Sequence, residues 1–362
     1  MSTVLRSLDP LVEALRARGY TVIGPTVRDG AIVLAELEGA DALPYGWGVT
    51  TGPGHYRLRH RDDRAAFGHA AGPQSWKRFL HPPRSPLWTA DRTPDGFTVT
   101  DAPEDPVRYA FLGVRGCDLR AIAVQDRVLG GADTGYARRR ADLFVVAVAC
   151  TDPADTCFCA SVGCGPAVTS GYDLALTELP DGYVVETGSA DGEELLAGLP
   201  VEPAPPEQVD RARSAVDAAA AQMSRSLPEA DLRELLAGSY DAARWDDVAA
   251  RCLSCGNCTM VCPTCFCTTV EDVTDVTGEH AERWMRWDSC FDLDFSHLHG
   301  GPVRESTHSR YRQWLTHKLG TWHVQFGESG CVGCGRCIAW CPVGIDITEE
   351  TAALAEESRG VS

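Results

Sequence analysis

Lysine is nearly missing from this chain. Of 33 basic residues among 362, only Lys77 and Lys318 are lysine and the rest are arginine, which reads as a compositional habit of the genome. Positive charge is scarce altogether: 51 Asp and Glu leave a formal charge of −18. Nucleic acid is therefore excluded as a partner, because neutralising phosphates takes an excess of Lys and Arg. Long apolar runs are missing too. No stretch can span a bilayer, and the opening Met-Ser-Thr-Val-Leu-Arg-Ser-Leu has no apolar signal-peptide core. The expectation is a cytoplasmic chain with no membrane span. Nor is there a glycine-rich G-x-G-x-x-G run, which argues against a dinucleotide held by that fingerprint.

Cysteine, by contrast, is abundant. A chain of this length can bury its own cores without disulfides, and a reducing cytoplasm keeps thiols free for metals or redox work, so 16 cysteines call for a chemical explanation. Eight of them form two copies of one run. The first is Cys252-Leu-Ser-Cys255-Gly-Asn-Cys258-Thr-Met-Val-Cys262-Pro263, and the second is Cys331-Val-Gly-Cys334-Gly-Arg-Cys337-Ile-Ala-Trp-Cys341-Pro342. Both are the C-x2-C-x2-C-x3-C-P pattern of bacterial two-cluster ferredoxins, in which the fourth cysteine serves the other cluster. The x2 spacings let one tight turn offer three sulfurs. The x3 step turns the fourth away, and the proline stops it closing back. The predicted ligands are Cys252, Cys255, Cys258 and Cys341 for one [4Fe–4S] cluster, with Cys331, Cys334, Cys337 and Cys262 for the second. Gly256, Gly333 and Gly335 let backbone N–H groups approach sulfur, which tunes potential. Structural zinc would use paired C-x2-C motifs instead, and thiols this close within one turn do not meet disulfide geometry.

The fold class expected is α+β. Residues 1–198 read as a mixed α/β domain, 199–248 as a helical connector, and 249–362 as a helical, two-cluster ferredoxin-like domain with a long insertion. Asp9-Pro10 reads as the capped start of a helix, and 31–37 and 56–60 as strands. The apolar runs Tyr109–Val114 and Leu143–Ala149 flank a helical stretch, 118–129, with Asp118 in the N-cap position; together they predict a right-handed βαβ unit. Residues 172–179 and 182–189 read as a surface hairpin. Beyond the proline-rich joint at 200–206, helices are predicted over 207–223, 229–238 and 241–251, and again after Asp346, with Glu349 placed for a capping box.

The βαβ reading brings further cysteines together. Parallel strands joined by a crossover open their carboxyl ends onto one edge, so Cys117, after the first strand, should meet Cys150, Cys157 and Cys159, after the second. A third cluster there is the sharpest reading; a zinc site, a redox-active Cys157–Cys159 pair and buried thiols are the alternatives. Cys265 and Cys267 could ligate another centre with Cys290, but one ligand is missing, and packing thiols beside a cluster are the favoured reading. In the insertion 283–326, His297 and His299 have no paired ligand. Its aromatics (Trp284, Trp287, Trp314 and Trp322) are expected to wrap the clusters and exclude water, with its histidines and arginines offsetting cluster charge.

Taken in order, Gly113-Val-Arg-Gly-Cys117-Asp118-Leu119, Cys150-Thr-Asp-Pro153, Thr156-Cys157-Phe-Cys159, Cys252 to Cys267, Ser289-Cys290 and Cys331 to Pro342 resemble one known family. It contains the beta subunit of sulfhydrogenases, which are NAD(P)-linked [NiFe] hydrogenases, and the corresponding iron–sulfur subunit of anaerobic sulfite reductase. Cys164 lies where no family cysteine is expected. The resemblance implies an electron-transfer subunit with no catalytic residue of its own. FAD and NAD(P) would sit on a companion flavoprotein subunit, and the terminal catalyst on [NiFe] hydrogenase small and large subunits or on a sirohaem sulfite reductase subunit. The hydrogenase complex is the first expectation and the sulfite reductase the alternative. From another class, the rivals are an iron–sulfur redox sensor or a structural metal scaffold. The acidic composition gives a sensor no DNA-reading element.

Overall fold

The computed structural model describes residues 2–70, 72–103 and 107–360. The chain opens with β1 (Thr3–Leu5), helix α1 (Asp9–Ala17) and the antiparallel pair β2 (Thr21–Arg28) and β3 (Ala31–Glu36). The hairpin β4 (Trp47–Gly52)/β5 (His55–His60) and the short helix α2 (Lys77–Leu80) follow. A longer hairpin, β6 (Arg84–Thr93)/β7 (Gly96–Asp101), precedes β8 (Tyr109–Val114), α3 (Gly116–Leu129), α4 (Thr134–Ala141) and β9 (Phe144–Val148). The region closes with β10 (Leu174–Leu179), β11 (Gly182–Thr187), α5 (Ala190–Ala197) and β12 (Val201–Pro203). Eight of these strands form one sheet in the order β12-β1-β11-β10-β9-β8-β2-β3. β2, β8, β9 and β10 run parallel.

β8 and β9 are covered on both faces, which is why their sequences are unbroken apolar runs rather than alternating ones. Successive side chains still point to opposite faces. Phe144, Val146 and Val148 join Leu11, Leu15 and Leu195 in one core, while Val145 and Ala147 join Phe111, Ile122 and Trp76 in the other. Each Val, Leu, Ile or Phe side chain among them, fully buried, contributes about 1.5–3 kcal/mol.

Three expectations change at this level. The 172–189 hairpin is not at the surface: β10 pairs with β9 and β11 with β1. Three-residue β1 and β12, too short to show a pattern, extend the sheet beyond it. Asp118 is not an N-cap, since α3 starts at Gly116 with Arg115 as its cap. The Asp118 carboxylate turns inward to Arg336, 3.0 Å away. Helix α1 forms where expected, but Leu8 takes the cap position and Asp9 lies in the first turn, where a carboxylate complements the helix dipole.

The second half contains α6 (Pro206–Gln222), α7 (Leu232–Gly238), α8 (Arg244–Arg251) and the one-turn helix α9 (Asn257–Met260). Strands β13 (Thr268–Thr274) and β14 (His280–Trp287) come next. They are followed by α10 (Thr307–Thr316), α11 (Trp322–Phe326), the one-turn α12 (Arg336–Ala339) and α13 (Ile347–Gly360). β13 and β14 pair with β6 and β7 in a four-stranded sheet, β13-β14-β6-β7, which ties residues 84–101 to 268–287. No helix among the described residues is long and apolar enough to cross a membrane.

Candidate functional site

The two cysteine runs fold as near copies. Gly256 and Gly335 each adopt φ +71° immediately before α9 and α12, a left-handed conformation that costs glycine nothing. Two residues earlier, Ser254 (φ +51°) and Gly333 (φ +64°) repeat the turn. In each copy the third residue's N–H approaches the first thiol, Ser254 N to Cys252 Sγ at 3.4 Å and Gly333 N to Cys331 Sγ at 3.5 Å. Ile345 N lies 3.3 Å from Cys341 Sγ.

These turns frame two largely apolar cavities. The first is lined by Cys252, Cys255, Cys258, Cys337 and Cys341, with Tyr311 and Trp314 among its walls. The second is lined by Cys262, Cys331, Cys334 and Cys337, with Trp314 and Lys318. The fourth thiol of each run thus sits with the other run's triplet. Burial pushes the Cys334 thiol up to about 11 and Cys331 up to about 12, and raises Cys258 and Cys337 well above the ordinary range. Cys262 goes the other way, held down by a hydrogen bond from the Cys265 thiol and by the Lys318 charge.

Do these residues fit iron–sulfur clusters? The Tyr311 hydroxyl and Trp314 Nε1, both on residues lining the cavities, are buried with no hydrogen-bond partner among the described residues. Buried donors are almost always paired, and cluster sulfur is an acceptor they could meet. Among the described residues no three His, Cys, Asp or Glu side chains converge on a single-ion site, as Zn–S bonds of about 2.3 Å would require; His297 and His299 lie on an exposed two-residue strand and the turn after it. The donor set suits cubes.

The N-terminal cysteines also assemble. Cys117 opens α3 after β8, and Cys150 and the 157–159 loop follow β9. The Cys117 thiol neighbours those of Cys159, Cys150 and Cys157. Cys164, left out of the sequence reading, also neighbours Cys117, and burial pushes its thiol to about 11. This loop docks on the second run: Phe158 N donates to Gly333 O at 2.8 Å, and a Cβ on Gly333 would stand 2.6 Å from Cys159 Cα. Arg336, inside that run, reaches Asp118 across the junction, and Cys334 and Cys117 are close enough to interact.

Sequence reasoning missed the charged wall. Lys318 and Arg336 are about 3 % exposed. Burial pulls against both charges, but Cys262 and Cys265 outweigh it at Lys318, and Asp118 and Cys334 at Arg336, so both are held above their ordinary values. Arg336 had a readable signal in its place between Cys334 and Cys337. The lysines had one in their rarity. Cys265 lies against Cys262, while Cys267 and Cys290 neighbour each other.

Comparison with known proteins follows the same lines. Residues 251–345 match the 4Fe-4S dicluster domain, so the chain carries two [4Fe–4S] clusters in an α+β fold. Over 277 residues it is 33 % identical to sulfhydrogenase 2 subunit beta of Pyrococcus furiosus, covering 75 % of this chain and 79 % of that protein. No solved structure matches.

Proposed function

The chain belongs to the family of the sulfhydrogenase beta subunit, and from that premise we propose that it is the electron wire of an NAD(P)-linked [NiFe] hydrogenase complex. It would pass reducing equivalents between a flavoprotein subunit carrying FAD and NAD(P) and the hydrogenase small subunit, itself paired with the large subunit. The observation that carries the wire is the pair of adjoining thiol-lined cavities sharing Cys337 and Trp314 as walls. In this reading Cys252, Cys255, Cys258 and Cys341 hold one [4Fe–4S] cluster, and Cys331, Cys334, Cys337 and Cys262 the other. Bound clusters supply one-electron carriers. The chain's own residues supply four thiolates each, a dry apolar wall, N–H groups aimed at sulfur, and buried cations that offset the charge.

Cys117, Cys150, Cys157 and Cys159 are proposed as ligands of a third cluster in the 1–198 unit, supported by their convergence and by the docking of their loop on Gly333. The three centres would then form a line, with the Cys331 site in the middle. At the opposite end Cys255 is exposed, flanked by Leu253 (64 % exposed) and Val343, an edge that an electron acceptor on a partner subunit could approach.

The test is anaerobic purification with iron and acid-labile sulfide counted per chain, and EPR of the reduced protein. The two-cluster unit gives about eight irons with interacting [4Fe–4S] signals, and the third site raises this to about twelve. Cys341→Ser should perturb only the first centre and Cys262→Ser only the second. Isolated chain should not oxidise NAD(P)H with a dye. Zinc without sulfide would overturn the wire, and unchanged iron in Cys157→Ser would overturn the third site.

A further inference from the structure

The two lysines of the chain converge on one place. Lys77, on α2, and Lys318, after α10, come from segments 241 residues apart, yet both are buried at the Thr264–Cys267 segment. Lys77 Nζ donates to Cys265 O at 2.9 Å and sits 3.7 Å over the Trp287 ring. Lys318 Nζ donates to Thr264 Oγ1 at 2.7 Å. Neither ammonium has a carboxylate partner among the described residues, and burying a cation without one is costly. What faces them is sulfur. Lys318 is the common charged neighbour of Cys265, Cys267 and Cys290, and Lys77 neighbours Cys265, Cys262 and Cys267.

The backbone here is also held as a site is held. Gln125 Nε2 donates to Pro263 O at 3.1 Å, the fully buried Thr264 hydroxyl donates to Gly330 O at 2.6 Å, and Asp288 N donates to Cys267 O at 2.8 Å. Three buried residues therefore fix the segment that carries two cysteines spaced C-x-C, and Cys290 neighbours the second of them, Cys267. Packing thiols need neither this anchoring nor two cations. The Lys318 charge can be assigned to Cys262 and the second cluster, but Lys77 bonds on the Cys265 side.

We propose that Cys265, Cys267 and Cys290 ligate an additional iron–sulfur cluster, with Lys77 and Lys318 as its compensating charges. This extends the wire proposed above and rests on that reading. On assembly each of the three thiols gives up its proton to solvent and forms one S–Fe bond. One iron is left for a non-cysteine ligand, and the buried Asp288 carboxylate is the oxygen donor that neighbours Cys267. In operation the centre is reduced by one electron as the adjoining cluster, bound through Cys262, is oxidised by one. The segment that the sequence reads as packing thiols becomes a branch of the relay.

The experiment compares full-length wild-type chain with the triple variant Cys265→Ser/Cys267→Ser/Cys290→Ser, both purified anaerobically. Iron and sulfide are counted per chain, and EPR and Mössbauer spectra recorded. The expected result is a loss of about three to four irons with matching sulfide, while the interacting two-cluster signal persists. Unchanged iron overturns the inference, and so does loss of the two-cluster signal together with the iron, which would make these thiols supports of the known clusters. Should the triple variant fail to fold, Cys290→Ser alone is expected to alter or remove one spectral component, and an unchanged spectrum overturns the inference. Wild-type chain lacking sulfide altogether would instead sink the wire itself, so the two failures are distinguishable.

Discussion

Arg336 and Asp118 offer a sharp test of how the N-terminal region and the cluster region are joined. The pair is 3.0 Å apart, with side chains only 2 % and 4 % exposed, so solvent screening takes little from it. Removing one partner of a buried pair costs roughly 3–5 kcal/mol, because the other charge is left uncompensated, whereas removing both is often near neutral. Arg336→Met and Asp118→Asn should therefore each destabilise strongly, and the double variant should recover most of the loss, a coupling readable from a double-mutant cycle. The same pair predicts electrochemistry. Arg336 is a charged neighbour of the Cys334 thiol, and a charge beside a ligating sulfur stands on the order of 6–8 Å from a cluster's centre. With an effective dielectric of about 20, one unit charge there is worth roughly 2–3 kcal/mol, or about 100 mV for one electron. In the wild type the cation and anion nearly cancel. Arg336→Met leaves the anion and should lower the second cluster's potential by up to about 100 mV; Asp118→Asn leaves the cation and should raise it; the double variant should return near wild type. EPR-monitored redox titration reads all three. Shifts of the same sign in the two single variants, or none in either, would refute the reasoning.

Further outcomes can be checked on the same preparation. Trp314→Phe keeps the apolar wall of both cavities but removes a buried N–H that has no partner among the described residues. The potential of the cluster that this N–H faces should fall by roughly 20–60 mV, the worth of one hydrogen bond of about 0.5–1.5 kcal/mol, while a purely steric role would move neither potential. Gly333→Ala places a Cβ 2.6 Å from the Cys159 backbone at φ +64°, and urea unfolding should show a loss above about 2 kcal/mol. Gly163→Ala, at φ +66° with open space around it, should cost only about 1 kcal/mol. His69 is buried, and desolvation, with the Arg115 charge beside it, lowers its pKa to about 3. The unfolded chain binds that proton near 6.5 and the folded chain does not, so stability is full above about pH 6.5 and falls as pH drops, by at most about 1.4 kcal/mol per unit. Between pH 7 and 5.5, unfolding of His69→Gln should show a shallower decline than the wild type; an equal slope would contradict the assignment.

What the sequence determined by itself was whatever its spacing or periodicity encodes locally. The x2-x2-x3 runs specified the turns at Ser254–Gly256 and Gly333–Gly335, because three thiols within one turn leave the backbone few conformations. The unbroken apolar runs of β8 and β9 marked buried parallel strands, and that in turn brought Cys117 to Cys150, Cys157 and Cys159. Only the tertiary structure decided the rest. The four-stranded sheet was illegible because β6 carries Pro86 and is half exposed, lacking a clean alternation. Its partner β14 lies almost two hundred residues away and takes it up through a register shift beside that proline, where a strand tolerates one. The hairpin's interior position depended on β1 and β12, which are too short to carry a period. Lys77, Lys318 and Arg336 show the same limit at the site. A sequence shows that a cation is rare or lies between two cysteines, but what it neutralises depends on which distant segments the fold packs against it, since charge acts through space and not along the chain.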